Sequence, residues 1–136
     1  MAGGQTFRDN GRPYRGTPLA LIVDDDEDMR EFLTMTVKLE GFATHAVSSG
    51  ADAIEYLADD PADLLITDQL MPGLTGMEVA TTLRGQGYAS PIVLFSAYMD
   101  SKLAQACEHL DVRPLSKIDI EALRRVVRTL ARDLQG

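Results

Sequence analysis

The sequence has almost no cysteine and no long apolar run. Its single cysteine, Cys107, cannot form an intramolecular disulfide, and this usage is typical of a reducing compartment. No apolar stretch approaches the roughly 20 residues that a membrane-spanning helix needs. The N-terminal stretch MAGGQTFRDNGRPYRGTP also lacks the apolar region of a secretion signal. We therefore expect a cytoplasmic protein with no membrane segment, in which Cys107 is a passive helix residue.

Basic charge is also scarce. Thirteen Lys and Arg residues face twenty-one Asp and Glu residues, which gives a formal net charge of −8. An acidic chain is repelled by a phosphate backbone, so we expect no direct binding to nucleic acid. Four arginines nevertheless cluster near the C-terminus at largely helical spacing: Arg124, Arg125, Arg128 and Arg132. Such a run is more typical of a solvated helix face than of a partner-binding surface.

The length and composition suit one folded domain. The chain has 136 residues, of which 45% are hydrophobic and 25% charged, as in an ordinary globular protein. Residues 1–17 hold four glycines and one proline but few apolar side chains, too few to offset the entropy of ordering them. We interpret residues 1–17 as a flexible N-terminal tail and residues 18–136 as the domain.

Short apolar runs alternate with helical patterns from Leu19 onward. The predicted strands are LALIV (19–23), ATHAV (43–47), DLLIT (63–67), PIVLF (91–95) and RPLS (113–116). The predicted helices cover residues 28–40, 49–59, 75–84, 101–109 and 118–134, and the third opens on the capping-box pattern Thr75-Gly-Met-Glu78. This alternation predicts an α/β fold with a parallel sheet, helices on both faces and a ligand site at the carboxyl ends of the strands.

Charged and hydroxyl side chains follow the predicted strands at this edge. Asp24 and Asp25 follow the first strand, Asp68 the third, Ser96 the fourth and Lys117 the fifth. Clustered carboxylates suit a small hard cation such as Mg²⁺. Asp68 follows a different strand from Asp24 and Asp25. One of its carboxylate oxygens could bind the metal while the other attacks phosphorus to form an aspartyl phosphate. The metal and Lys117 would then stabilise the charge on the transferring oxygens.

At these positions the sequence resembles the receiver domains of two-component response regulators, including single-domain chemotaxis regulators. The resemblance spans about residues 18–134 and is carried by LIVDDDEDMREFL, DLLITDQLMPGLTGMEV, PIVLFSA and LSK. The second motif is highly specific, with its Asp, Met-Pro and Gly in order. The resemblance implies a doubly wound, flavodoxin-like fold, with five parallel strands in the order 2-1-3-4-5 and five helices.

The resemblance also implies roles for individual residues. Asp68 would be the phosphoacceptor; Asp24, Asp25, Asp68 and the Leu70 carbonyl would hold Mg²⁺; Ser96 would be the switch hydroxyl and Lys117 would contact the phosphoryl group. A histidine kinase or histidine phosphotransfer protein would supply that group. The face of the fourth helix, fifth strand and fifth helix would contact a downstream protein. We expect a stand-alone monomer or weak homodimer; the alternative is a receiver fragment of a larger multidomain regulator.

The sequence departs from the family pattern around the fifth strand. Receivers usually have Lys-Pro with a cis bond, whereas Ile118 follows Lys117 here. A cis bond before a non-proline residue costs about 2.5–4 kcal/mol, so we expect a trans bond or visible strain. Arg113-Pro114 mimics Lys-Pro but comes too soon after Ser96, which favours Lys117. Pro114 then takes the place of the usual switching aromatic, and Tyr98 is the nearby tyrosine that we expect to replace it.

Three other functions share part of this pattern. A flavodoxin-like flavin binder would need a hydroxyl- and glycine-rich phosphate loop where this chain has five acidic residues. A Mg²⁺-dependent phosphatase with an aspartate nucleophile would carry a second aspartate at the position of Leu70. A catalytically silent receiver would have lost the acidic site. The phosphoacceptor receiver therefore remains the favoured hypothesis, with self-phosphorylation and self-dephosphorylation as its only chemistry.

Overall fold

The computed structural model describes residues 17–135 together with residues 6–7 and 13–14. The tail predicted over residues 1–17 lies largely outside the described residues. Within it, Thr6–Phe7 pairs with Pro13–Tyr14 as two antiparallel strands of two residues each. The boundary between tail and domain therefore stays a prediction. No helix in the described part of the chain has the length and apolar character needed to cross a membrane.

The structure confirms the five predicted strands and five predicted helices of the domain. The strands are β1 Leu19–Val23, β2 Ala43–Val47, β3 Leu64–Thr67, β4 Ile92–Ser96 and β5 Val112–Ser116. The helices are α1 Glu27–Leu39, α2 Gly50–Asp59, α3 Gly76–Gly85, α4 Ser101–His109 and α5 Ile120–Gln135. The predicted capping box at the start of α3 is present. Helix α5 begins two residues later than predicted, because the Asp119 carboxylate accepts from the Ala122 N–H and caps it.

The five strands form one parallel sheet in the order β2-β1-β3-β4-β5, which is the predicted order 2-1-3-4-5. The central strands are apolar on both faces because helices cover both sides. Leu21 and Val23 face a core formed with α2, α3 and α4, whereas Ala20 and Ile22 face a core formed with α1 and α5. Since all strands run the same way, their carboxyl ends meet at one edge, where the predicted site lies.

Two of the C-terminal arginines attach α5 to the end of α1. Arg124 Nε lies 2.9 Å from Glu40 Oε2, and Arg128 Nε lies 2.8 Å from Glu40 Oε1. The Glu40 side chain is only 7% exposed. Hydrogen bonds from Arg128 and Arg124 lower its pKa from 4.5 to about 2. The interpretation of the arginine run as a purely solvated face is therefore wrong for these two residues, because they neutralise a buried carboxylate.

We expect Glu40→Gln to unfold at a lower urea concentration than the wild type at neutral pH, because it leaves two arginines without their acceptor charge. The folded-state pKa is depressed, so the carboxylate stabilises the fold fully above its unfolded pKa of 4.5 and loses that effect as the pH falls through about 2. Urea titrations across this range should show the two proteins converging. The control is Glu121→Gln, which removes a 68%-exposed partner of Arg124; its midpoint should barely change. A constant gap for Glu40→Gln at all pH values would contradict the assignment.

Candidate functional site

Three carboxylates meet at the carboxyl edge of the sheet. Asp24 and Asp25 follow β1, and Asp68 follows the adjacent strand β3. One carboxylate oxygen of each lies within 4.8 Å of those of the other two. Asp24 is 1% exposed, and a buried carboxylate requires a cation or hydrogen-bond donors beside it. Carboxylate oxygens are ligands that a hard cation such as Mg²⁺ accepts, and the residues present therefore fit the predicted ion.

Lys117 supplies a positive charge to this cluster. Its Nζ donates to Asp68 Oδ2 at 2.8 Å and to Asp24 Oδ2 at 3.1 Å. Burial alone would lower the pKa of Lys117, but the hydrogen bonds and charges of Asp68 and Asp24 outweigh it and raise the pKa above its ordinary value. The ammonium therefore stays charged between two carboxylates from different strands.

The run of five acidic residues divides into two groups with different roles. The first two residues belong to the carboxylate cluster. Asp26 instead caps α1, because its Oδ1 accepts from the Asp28 N–H at 3.1 Å. Glu27 and Asp28 lie in the first turn of α1, where the helix dipole favours negative charge. The mutual repulsion within the run is thus offset by a helix N-terminus on one side and by Lys117 on the other.

Asp24 is held in place by two further contacts. Its Oδ1 accepts from the Asp26 N–H at 2.9 Å, and its main-chain carbonyl accepts from Arg30 Nη1 at 2.8 Å. Sequence reasoning assigned no role to Arg30. The sequence does place an arginine one turn into the helix that follows the acidic run. That pattern alone does not predict which oxygen atom accepts its hydrogen bond.

The loop after β3 is folded tightly around Asp68. Asp68 Oδ1 accepts from the Gln69 N–H at 2.7 Å. The Gln69 side chain accepts from the Met77 N–H at 2.9 Å, and its carbonyl accepts from the Gly76 N–H at 3.0 Å. Leu70, two residues after Asp68, exposes 58% of its surface. Sequence reasoning missed the role of Gln69, since a single glutamine after a strand carries no distinctive signal.

Gly76 permits the close approach of α3 to Asp68. A Cβ atom at this position would lie 2.2 Å from the Asp68 carbonyl oxygen and 2.7 Å from the Leu94 side chain. Real Cβ atoms essentially never lie this close to another heavy atom. The contact with the Asp68 carbonyl oxygen involves main chain, which cannot move aside as a flexible side chain could. Packing therefore explains why the motif DLLITDQLMPGLTGMEV has glycine at position 76. The sequence alone did not reveal this reason.

Ser96 connects the ends of β4 and β5. It is 3% exposed, its carbonyl accepts from the Lys117 N–H at 3.1 Å, and its Oγ accepts from the Tyr98 N–H at 3.1 Å. Tyr98 is 45% exposed, and its hydroxyl donates to Asp100 Oδ2 at 2.5 Å. That hydrogen bond raises the pKa of Tyr98. Asp100 Oδ1 also accepts from the Leu103 N–H at 2.8 Å and caps α4, so Ser96, Tyr98 and Asp100 form one chain of contacts.

Lys117, which directly follows β5, contacts the carboxylate cluster, whereas Arg113 does not. Arg113 lies in β5 and lines a groove at the opposite edge of the sheet. The described residues contain no cis peptide bond, so the Lys117-Ile118 bond is trans, one of the two expected outcomes. The Ile118 side chain is 91% exposed.

Comparison with known protein families and curated proteins gives consistent matches. The family model described as the response regulator receiver domain matches residues 20–128. The chain is similar to the response regulator MprA of Mycobacterium tuberculosis, with 38% identity over 77 residues. That match covers 57% of this chain and 34% of MprA. The chain thus spans about a third of the length of this curated relative.

This chain also matches solved structures of the same fold over nearly the whole length of those structures. A response regulator receiver protein from Pseudomonas putida is 28% identical, with a TM-score of 0.76 and coverage of 85% of this chain and 99% of that one. The response regulator TrrA from Thermotoga maritima, solved in complex with Mg²⁺-BeF, is 27% identical with a TM-score of 0.75. That match covers 84% of this chain and 99% of TrrA.

We expect Gly76→Ala to destabilise the protein by about 1–3 kcal/mol, because the added methyl group overpacks the loop around Asp68. Urea unfolding measures the loss, and amide shifts of Asp68 and Gln69 report the displaced loop. Gly85→Ala is the matched control, because no atom lies within 4 Å of a Cβ at that position. It should be neutral or slightly stabilising. Equal effects of the two substitutions would contradict the packing role of Gly76.

Proposed function

The chain belongs to the response regulator receiver domain family, and from this premise we propose that it accepts a phosphoryl group on the carboxylate of Asp68. Receiver domains act in signalling, in two-component systems that begin with a histidine kinase. The observation that carries the proposal is the placement of Asp68 Oδ2 at 2.8 Å from Lys117 Nζ, beside Asp24 and Asp25. A nucleophile, a fixed cation and a candidate metal site then share one edge of the sheet.

The proposed reaction is a phosphoryl transfer with a protein carboxylate as nucleophile. A carboxylate oxygen of Asp68 forms a bond to phosphorus while the bond from phosphorus to the donor's nitrogen or oxygen breaks. The donor leaves as a histidine imidazole, or as acetate when acetyl phosphate is used. Lys117 already lies between Asp68 and Asp24, and its charge offsets the negative charge on the transferring oxygens.

Asp24, Asp25 and Asp68 would hold Mg²⁺, with the Leu70 carbonyl as a further ligand on the basis of the family resemblance. When bound, the ion would supply positive charge that lets an anionic donor approach three carboxylates. Within the protein, the Asp26 N–H and Arg30 keep Asp24 in position for this role. The choice of Mg²⁺ is supported by the oxygen-only donor set.

We propose that this chemistry is confined to the protein itself and includes no turnover of an external substrate. A phosphatase of the aspartate type would need a second carboxylate at Leu70, whose side chain is apolar and exposed. The proposed donor is a histidine kinase or a histidine phosphotransfer protein, and the proposed location is the cytoplasm. As output, we propose that a downstream protein contacts the face formed by α4, β5 and α5. We propose that the protein acts as a monomer or weak homodimer.

We expect acetyl phosphate to label the wild type only when Mg²⁺ is present, because the clustered carboxylates otherwise repel the anionic donor. Intact-mass spectrometry measures the added phosphoryl group. Asp68→Asn should abolish the label, since an amide oxygen is a poor nucleophile. Asp24→Asn should leave the nucleophile intact but raise the Mg²⁺ concentration required. Labelling of Asp68→Asn at the wild-type level, or labelling that survives a chelator, would refute the proposal.

We expect Lys117→Ala to slow phosphorylation by about tenfold or more, because it removes a charge-assisted contact. Arg113→Ala is the matched control, since it removes a nearby cation, within β5 itself, that lies far from the carboxylates. It should be labelled at the wild-type rate. The reverse result would assign the phosphoryl contact to Arg113 and overturn the proposed site.

Ser96 is the proposed link between phosphorylation and output. A phosphoryl group on Asp68 would offer the Ser96 hydroxyl a charged acceptor, and movement toward it would pull on the Tyr98 N–H that now donates to Ser96 Oγ. Tyr98 is joined to Asp100, the cap of α4. A hydrogen bond to a charged group contributes about 1.5–3 kcal/mol, which shifts a two-state equilibrium by roughly tenfold to a hundredfold. In this way Tyr98 would serve as the switch aromatic.

We expect Ser96→Ala to accept the phosphoryl group fully but to lose most phosphorylation-dependent amide shifts over residues 97–128. The substitution removes only the hydroxyl group, so the side chain can no longer donate to the phosphoryl oxygens. Ser101→Ala, at an exposed position in α4, is the control and should keep those shifts. If the shifts persist in fully labelled Ser96→Ala, the coupling does not pass through this hydroxyl.

A further inference from the structure

A second concave region lies at the opposite edge of the sheet from Asp68. It is a solvent-open groove of about 600 Å³ between the amino-terminal ends of β4 and β5 and the middle of α5. Val126 and Leu130 are half-buried and form apolar surface on the α5 side, whereas the lining residue Val93 of β4 is buried. Arg113 projects from the β5 wall and Arg125 from the α5 wall. The groove therefore combines an apolar lining with a guanidinium group on each side.

Within residues 17–135 these two arginines have no acceptor, unlike Arg84, Arg124 and Arg128. Arg124 and Arg128, on the same helix as Arg125, both bond to Glu40. Arg84 donates to four main-chain carbonyls, which belong to Tyr88, Ser90, Leu110 and Asp111. By contrast, neither Arg113 nor Arg125 forms a hydrogen bond or ion pair with residues 17–135. Their charges are thus available to a ligand.

The charge of the groove is opposite to that of the whole chain. Two guanidinium groups and one carboxylate, that of Asp111, line it, while the chain carries a formal net charge of −8. Like charges on facing walls repel each other, and an anion between them removes that repulsion. Carboxylates are the protein groups that pair most specifically with guanidinium. The expected occupant is therefore acidic as well as apolar.

Two features determine the form of that occupant. Strand β5 is at the edge of the sheet, but Pro114 interrupts it and cannot donate a main-chain hydrogen bond, so an added strand would pair poorly. The groove is also too open to enclose a small molecule on most sides, as ligand pockets usually do. A helix that inserts apolar side chains and places carboxylates along its flanks satisfies both conditions.

We propose that this groove binds an acidic amphipathic helix of a partner protein, with apolar side chains against Val126 and Leu130 and carboxylates paired with Arg113 and Arg125. The surface differs from the proposed output face because it excludes α4 and lies at the amino-terminal edge of the sheet. The proposal does not depend on phosphorylation of Asp68, and its test uses the unphosphorylated protein.

The probe is a fluorescently labelled helical peptide with leucine on one face and glutamate on its flanks. A second peptide, with lysine in place of every glutamate, is its counterpart. Fluorescence anisotropy should show saturable binding of the glutamate peptide alone, weakened by about tenfold or more in the double variant Arg113→Ala, Arg125→Ala. Arg132→Ala removes an exposed arginine of α5 that does not line the groove, and it should bind as the wild type does. Amide shifts should map to residues 89–93, 111–113 and 125–130.

Charge reversal gives a second, independent measurement. The double variant Arg113→Glu, Arg125→Glu should lose the glutamate peptide and gain the lysine peptide. Equal binding of both peptides by the wild type, no binding of either, or shifts that map elsewhere would overturn the proposal. Concentration-dependent shifts of the groove residues without peptide would identify a second copy of the chain as the occupant, and would likewise overturn it.

Discussion

The repulsion among carboxylates at the carboxyl edge of the sheet is the constraint on which the site depends. The Lys117 ammonium lies between Asp24 and Asp68 and offsets the repulsion between their carboxylates. Main-chain N–H groups from Asp26 and Gln69 satisfy the remaining oxygens. The cluster is thus stable as an anionic site without being fully neutralised, which is what a cation-dependent reaction with an anionic donor requires.

The parallel sheet delivers these groups to one place from distant parts of the sequence. Lys117 and Asp24 are separated by 93 positions, yet the strands that carry them end at the same edge. The loop after β3 then fixes Asp68, because Gly76 lets α3 approach the Asp68 carbonyl and Gln69 closes the loop. The geometry at Asp68 is therefore a consequence of helix packing as well as of strand direction.

Positive charge in the domain is divided among three kinds of position. Lys117 and Arg30 serve the acidic site, while Arg84, Arg124 and Arg128 bond to main-chain or buried acceptors and join elements of the fold. The arginines of the groove between β5 and α5 do neither. The same residue type at similar helical spacing thus has a structural role at Arg124 and Arg128 and a proposed binding role at Arg125, and only the acceptors distinguish them.

The sequence by itself determined the alternation of strands and helices and the cluster at the edge of the sheet, because these follow from local apolar periodicity and from strand direction. The order of the strands was implied by the family resemblance and is observed in the tertiary structure. It also favoured Lys117 over Arg113 by spacing. Only the tertiary structure assigned acceptors: it made Asp26 a helix cap, separated Arg124 from Arg125, and explained Gly76 by its distance to a carbonyl. Side-chain partners depend on contacts between elements far apart in the chain, and no local pattern records those distances.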